Sequence, residues 1–269
     1  MENCSPKPTP MEKGLQLPDP RSIQTSDEDA KLPYLSAGGS LIWLLMTRAD
    51  IAFISGVICR YFAGYNSFCW QLVKRVFRYL KKEPSLGLVF HAKERVPRFS
   101  FSDPTIASII VAYSDSDYAG REHDSKSTSG YLLCFKNVGT VSYKCTTQKG
   151  VAQSSNEAEF NSAVECAKAI LWHRNVMHEL SCTQPGATIL YLDNQSAIKL
   201  GKNPVMHART KHFRVKQHFI QDLVNTRRVI KLDYVSTEHM PADLLNKAHA
   251  GPRLRYLIGL VMGTQQTRP

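Results

Sequence analysis

Hydrophobic periodicity changes at Pro84, and the change divides the chain into a helical segment and a longer segment of mixed strands and helices. Ahead of it, Cys69, Leu72, Val73, Val76, Phe77 and Leu80 recur at helical spacing, and two shorter helices are predicted at about 34–46 and 49–62. Lys74, Arg75, Arg78, Lys81 and Lys82 form a second stripe on the third helix, a face suited either to a phosphate backbone or to plain solvation. Upstream, residues 1–30 hold five Pro and little periodicity, which predicts an extended or disordered leader.

Beyond Pro84, short segments rich in β-branched and aromatic residues predict strands near Leu86–His91, Ile106–Ser114, Gly130–Phe135 and Thr140–Lys144. Asn137 and Gly139 supply hairpin chemistry to the turn between the last two. A long helix is predicted at about 155–180, with Ser154 or Ser155 as its N-cap. Ala158, Val164, Ala167, Ile170, Leu171 and Leu180 can line its buried side. Strands at Thr188–Asp193 and Arg228–Val235 then alternate with helices near 195–201 and 210–224, and further helix follows Pro241. Consecutive strands followed by alternation predict an α/β sheet, antiparallel on one side and parallel on the other.

Four carboxylates fall at telling places in that pattern. Asp115 and Asp193 end predicted strands, Glu159 lies in the first turns of the long helix, and Asp243 opens the last helical region. Acids at strand ends and adjacent helix starts can converge on the crevice at a sheet edge. Hard oxygen ligands gathered there suit Mg²⁺ or Mn²⁺. Two such ions about 4 Å apart activate water and stabilise the leaving oxygen of a phosphodiester. Each acid alone is an ordinary turn former or cap; only the joint pattern makes a site.

Net charge adds a partner class. With 34 Lys+Arg against 23 Asp+Glu, the chain carries +11, which suits nucleic acid ahead of an acidic membrane surface, or equally an ordinary solvated basic surface. Residues 199–231 alone hold nine Lys or Arg and one acid, Asp222. His207, His212 and His218 match no zinc spacing, and the seven Cys form no CxxC pair, so reduced thiols in an intracellular compartment are expected. The first twenty residues lack an apolar core for a signal peptide, and Arg48, Asp50 and Arg60 break the longest apolar stretches, so neither a transmembrane helix nor a membrane partner is expected. The run Lys126–Gly130 lacks P-loop spacing, and no Gly-x-Ser-x-Gly elbow surrounds Ser154 and Ser155.

The run Tyr113-Ser114-Asp115-Ser116-Asp117-Tyr118-Ala119-Gly120, followed by Lys126-Ser127-Thr128-Ser129-Gly130-Tyr131, resembles the RNase H domain of Copia-type retrotransposon Pol polyproteins. Ser154–Phe160, Asp193–Ala197, Lys202-Asn203-Pro204, Arg209-Thr210-Lys211-His212 and Pro241-Ala242-Asp243 continue the resemblance in order, across about 104–262. Leu32-Pro33-Tyr34, Thr47–Ile51 and Lys74–Lys81 are similar to the end of the reverse transcriptase of the same polyproteins, although the family usually has Pro where Ala49 stands. The Tyr-x-Asp-Asp polymerase motif is absent from this sequence, and Met1–Met11 resembles sequence just downstream of it, which implies a truncated element.

The resemblance implies an RNase H-like mixed five-stranded sheet with flanking helices, preceded by a small helical segment. The expected organisation is a leader over 1–30, a helical reverse-transcriptase remnant over 31–92, the RNase H-like domain over 104–262 and a tail over 263–269. It further implies that Asp115, Glu159, Asp193 and Asp243 are the catalytic acids and hold two Mg²⁺ (or Mn²⁺) ions; Asp117 and Glu157 are acidic neighbours without an assigned role. Cleavage of the RNA strand of an RNA–DNA hybrid is the expected activity, with a non-catalytic nucleic-acid-binding remnant as the alternative. Lys126, Ser127, Asn194, Lys202, Arg209, Lys211, His212 and Lys216 are the expected nucleic-acid contacts, and His239, four residues before Asp243, is a possible auxiliary. A separate reverse transcriptase subunit is a possible partner, and the expected location is intracellular, in cytoplasmic particles or the nucleus.

Overall fold

A computed structural model describes residues 3–91, 110–203 and 211–264, with the side chains of Lys211 and His212 excepted. Its α-helices are α1 (Tyr34–Leu44), α2 (Ala52–Cys59), α3 (Ser67–Lys82), α4 (Ser155–Glu179), α5 (Gln195–Lys202), α6 (Lys211–Gln221) and α7 (Gly251–Met262). Its strands are β1 (Ile110–Asp117), β2 (Thr128–Phe135), β3 (Gly139–Thr147), β4 (Thr188–Leu192) and β5 (Ile230–Tyr234). The chain forms two compact units, residues 1–89 with 247–269, and residues 90–246. The expected RNase H-like segment, 104–262, and the second unit differ in where they place α7.

In the first unit, α3 starts where Asn66 accepts a hydrogen bond from Cys69 N and buries Cys69, Leu72, Val73 and Val76, the stripe its periodicity predicts. The expected helix at 49–62 opens instead as a 3-10 turn, Ala49–Ile51, before continuing as α2. The Arg48 guanidinium grips Asp50 at that turn with two bonds of 2.9 and 2.7 Å. The leader runs along the basic stripe of α3 without α-helix or strand of its own. Arg75 meets Glu12 and Thr9, Arg78 Nε donates to the Ser5 carbonyl at 2.7 Å, and Lys81 Nζ donates to the Cys4 carbonyl at 3.2 Å. Three of the five basic side chains are therefore occupied by the protein's own backbone and side chains.

The second unit is built on a five-stranded sheet in the order β3-β2-β1-β4-β5. β1, β2 and β3 pair antiparallel, β4 runs parallel to β1, and β5 runs parallel to β4. Ile110 and Ala112, Tyr131 and Leu133, Leu190 and Leu192, and Ile230 and Leu232 turn one face of the sheet toward Phe160, Val164, Ala167 and Ile170 of α4. The predicted hairpin turn joins β2 to β3, with Asn137 at φ 61°. Ser154 caps α4 by accepting from Glu157 N at 3.1 Å.

Two expectations fail here. Residues 86–91 form no strand. Val89 N donates to Met262 O and His91 N to Val138 O, single bonds rather than a ladder, so the apolar side chains of that run lack a sheet to join. Leu180, expected on the buried side of α4, is 68% exposed. The helix ends at Glu179 and the chain turns at Ser181, φ 58°, so Leu180 leaves the stripe that Ile170 follows.

Candidate metal centre

Parallel pairing of β1 and β4 does most of the positioning. Tyr113 lies directly beside Tyr191, their rings stacked with centroids 5.0 Å apart. Asp115 and Asp193 each follow two residues later, and the period of a strand puts residues i and i+2 on one face. The two acids are therefore neighbours because their tyrosines are. On the other face of β1, Ser114 Oγ bonds to Ser162 Oγ of α4 at 2.8 Å, while Ser116 reaches the adjacent turn of α4. The Ser116 backbone N–H and hydroxyl both donate to Glu159 Oε1, at 3.2 and 3.0 Å, and hold that carboxylate at the strand end.

Ligand oxygens of Asp115, Glu159 and Asp193 lie within 4.8 Å of one another. Asp243 enters from the 3-10 turn Pro241–Leu245, where it is buried and shares a hydrogen bond with the Asp115 carboxyl. That turn can approach because β2 has a glycine opposite Asp115. A Cβ at Gly130 would stand 2.8 Å from Leu245 Cβ and 2.9 Å from the Ala242 carbonyl oxygen. Asn246 Nδ2 donates to Asp115 Oδ2 at 2.7 Å, and Thr237 Oγ1 donates to Asp193 Oδ2 at 2.8 Å.

Electrostatically the cluster is strained. Burial pushes the Asp115 carboxyl well above the usual carboxylate range, and the Glu159 charge, the Asp243 hydrogen bond and the Asp193 charge push it further. Burial, followed by the Asp193 charge, raises Glu159 to about 7, against the opposing pull of the Ser116 hydrogen bonds. A carboxyl neighbour of this kind favours the protonated form of Asp115. Among the described residues no Lys, Arg or His forms an ion pair with Asp115, Glu159 or Asp193. Glu159 Oε2 is buried without a hydrogen-bond partner among the described residues. An oxygen-only donor set with an orphaned buried carboxylate oxygen fits a hard divalent cation.

The two acids left without a role each sit in a local turn or cap. Glu157 Oε2 accepts from Gln153 N at 2.9 Å, which closes a capping arrangement around Ser154. Asp117 folds over the Gly120 turn so closely that a Cβ at Gly120 would collide with its carboxylate.

The residues expected at a nucleic-acid face separate into groups. Lys202 is exposed at the end of α5, and Lys126 is half-exposed, 3.8 Å from Asp124. Asn194 caps α5 by accepting from Ser196 N and Ala197 N. Lys216 Nζ donates to Asn161 Oδ1 of α4 at 2.8 Å. Ser127 is a correction: it is 0% exposed, accepts from Ala119 N and so fixes the β1–β2 loop from inside, where no phosphate reaches it. Arg209 lies outside the described residues, and Lys211 and His212 are placed only as the backbone start of α6. His239 is exposed, and its Nδ1 shares a hydrogen bond with Ser236 Oγ at 2.9 Å. Sequence reasoning missed Ser116, Thr237 and Asn246, the three side chains that hold the acids in place. Only Asn246 left a trace, as a polar residue three positions beyond Asp243 in the same turn.

The chain is 37% identical over 251 residues to the retrovirus-related Pol polyprotein from transposon TNT 1-94 of Nicotiana tabacum, covering 92% of this chain and 18% of the relative. It is 32% identical over 243 residues to the retrovirus-related Pol polyprotein from transposon RE2 of Arabidopsis thaliana, covering 90% of this chain and 15% of the relative. The chain thus spans less than a fifth of the length of these curated relatives. Among solved structures, RNase H1 from Halobacterium salinarum superposes with a TM-score of 0.39 at 19% identity, covering 51% of this chain and 93% of that one. No family model matches the chain.

Proposed function

We propose, from the homology of nine-tenths of the chain to retrovirus-related Pol polyproteins of plant transposons, that its second unit is a metal-dependent ribonuclease H that cleaves the RNA strand of RNA–DNA hybrids. The observation that carries the reading is the cluster itself: Asp115, Glu159 and Asp193 meet within 4.8 Å with no cationic side chain paired to them among the described residues. Asp243 completes it through Asp115. These four side chains would hold two Mg²⁺ or Mn²⁺ ions. Ions in that position lower the pKa of a water nucleophile and stabilise the leaving oxygen of a phosphodiester.

The chain's own contribution is placement. β1 and β4 set Asp115 and Asp193 side by side, Ser116 turns Glu159 toward them, and Thr237 orients the Asp193 carboxylate. The β1–β4 parallel edge leaves the cluster at the C-terminal ends of both strands, the usual place for a ligand crevice in a sheet of this kind. Exposed Lys202 and half-exposed Lys126 supply charge for backbone contacts.

The test is cleavage of a labelled RNA–DNA hybrid by the purified chain in Mg²⁺, Mn²⁺ and EDTA, with RNA and DNA duplexes as controls. Metal-dependent cutting of the hybrid's RNA strand is the expected result. Hybrid binding without cleavage in either metal refutes the enzyme reading and leaves a nucleic-acid-binding remnant.

A further inference from the structure

Asn246 has no place in the acid set, yet it is a fully buried polar side chain beside it. It is 0% exposed, lies in the same unit as the acids and follows Asp243 by three residues. Its Nδ2 donates to Asp115 Oδ2 at 2.7 Å, at the short end for an amide donor. Its Oδ1 is buried without a hydrogen-bond partner among the described residues. An amide buried with half its capacity unused costs stability, so hydrogen-bond satisfaction within the fold does not account for it.

We propose that Asn246 is a positioning residue that fixes the Asp115 carboxylate for metal binding. One oxygen of Asp115 is engaged by the amide, which sets the plane of the carboxylate and leaves its other oxygen for a cation. A neutral donor suits this task better than a basic one. Lys or Arg at the same point would hold Asp115 equally well but would cancel the negative charge on which cation affinity depends. The amide orients and does not neutralise. The orphaned Asn246 Oδ1 offers, beside the same centre, an acceptor for a water bound there. Partners that orient metal ligands typically contribute about 10–100-fold to affinity.

This inference rests on the metal-centre reading above, and the experiment separates the two. Mn²⁺ binding to the full chain is measured by electron paramagnetic resonance of the free ion, with no substrate present. Wild type, Asp115→Asn, Asn246→Leu and Asn246→Ala are compared, and each is melted in EDTA. Asn246→Leu keeps the volume and removes both polar atoms; Asn246→Ala also removes bulk in case Leu does not fit. Binding by wild type, its loss in Asp115→Asn, and a dissociation constant raised at least about tenfold in a folded Asn246 variant are the expected results. Wild-type affinity in the Asn246 variants overturns the positioning role and leaves the metal centre standing. No Mn²⁺ binding by wild type overturns both. Failure of both Asn246 variants to fold in EDTA assigns the amide to folding and overturns the proposal as well.

Discussion

The two units each bury a carboxylate, and they treat it in opposite ways. In the first, the Asp50 side chain is fully buried, but Arg48 grips it with two hydrogen bonds and the Tyr79 hydroxyl donates a third at 2.6 Å. The remaining Arg48 nitrogen, Nη1, donates to the Glu83 carbonyl. In the second, Asp115 and Glu159 are almost as deeply buried and are faced by further acids. Burial of an acid therefore says little about function. The countercharge separates the two. The first unit pairs its buried acid with its own cation, whereas among the described residues no Lys, Arg or His is ion-paired with Asp115, Glu159 or Asp193.

The largest effect should come from breaking the compensated side. Arg48→Met leaves Asp50 buried without its partner, and one-sided removal of a buried ion pair costs about 3–5 kcal/mol. Arg48→Met combined with Asp50→Leu should recover most of that loss in chemical denaturation. If the single variant loses less than about 1 kcal/mol, below the one-sided cost expected here, Asp50 is not compensated in the way described.

Next in size is the pH dependence of the uncompensated side. Glu159 is raised from 4.5 to about 7, and Asp115 is raised too, so the folded, metal-free protein binds protons that the unfolded chain has released. Stability in EDTA is therefore fully present below the unfolded carboxylate range and is lost as pH rises toward 7 and beyond. For Glu159 alone the loss is about 3 kcal/mol at most. Thermal unfolding in EDTA at pH 5, 6, 7 and 8 should show the decline, and millimolar Mn²⁺ should flatten it. A flat profile in EDTA would mean that the acids are already compensated, and the contrast between the units would disappear.

How far this contrast could be read in the sequence follows from the range of the interactions involved. The helix periods, the hairpin at Asn137 and the strands around Asp115 and Asp193 are local patterns, and they were legible. So were the acids, since strand ends and helix starts are local positions too. The apolar run at 86–91 misled because strand propensity does not reveal whether a neighbouring strand exists. Ser127 misled because its burial and its bond from Ala119 N depend on how the β1–β2 connection folds, which its motif does not reveal. The leader's grip on α3 spans more than sixty positions, as in the contact of Arg75 with Thr9, |i−j| of 66. Asn246 meets Asp115 across 131 positions, and a single neutral amide leaves no charge pattern or periodicity to announce that meeting.

A matched pair of substitutions sharpens the comparison further, because the same chemical change should act with opposite sign. Asp50→Asn removes the charge that Arg48 needs and should destabilise by about 3 kcal/mol, the low end of the one-sided cost. Asp115→Asn removes a charge that its neighbours repel, and in EDTA near pH 8 it should stabilise the fold. The same Asp115 variant should lose cleavage more than about a hundredfold, since the carboxylate proposed to bind the cation is gone. Hybrid affinity should persist, because phosphate contacts come from Lys and Arg. Parallel loss of stability and cleavage in Asp115→Asn would make Asp115 a structural acid like Asp50.

The smallest effect is expected at His239, the cationic residue four positions before Asp243. If protonated His239 served as the missing countercharge, the second unit would be compensated after all. Its geometry argues against that role. His239 is exposed, and its Nδ1 is engaged with Ser236 Oγ at 2.9 Å. The neighbour that reaches the cluster is Thr237, whose neutral hydroxyl contacts Asp193. The short link from Thr237 to Asp243 also contains Pro241, which restricts any swing of the imidazole toward the acids. Removal of an exposed side chain away from such features changes a free energy by about 0.5 kcal/mol or less, which is about twofold in a rate or a dissociation constant. His239→Ala should accordingly keep Mn²⁺ affinity and hybrid cleavage within about twofold of wild type. Thr237→Val should weaken both more, since it removes a hydrogen bond to a charged acceptor worth about 1.5–3 kcal/mol. Steady-state cleavage and Mn²⁺ titration of the two variants side by side decide the matter. A larger loss in His239→Ala than in Thr237→Val would place the imidazole among the groups that serve the metal centre.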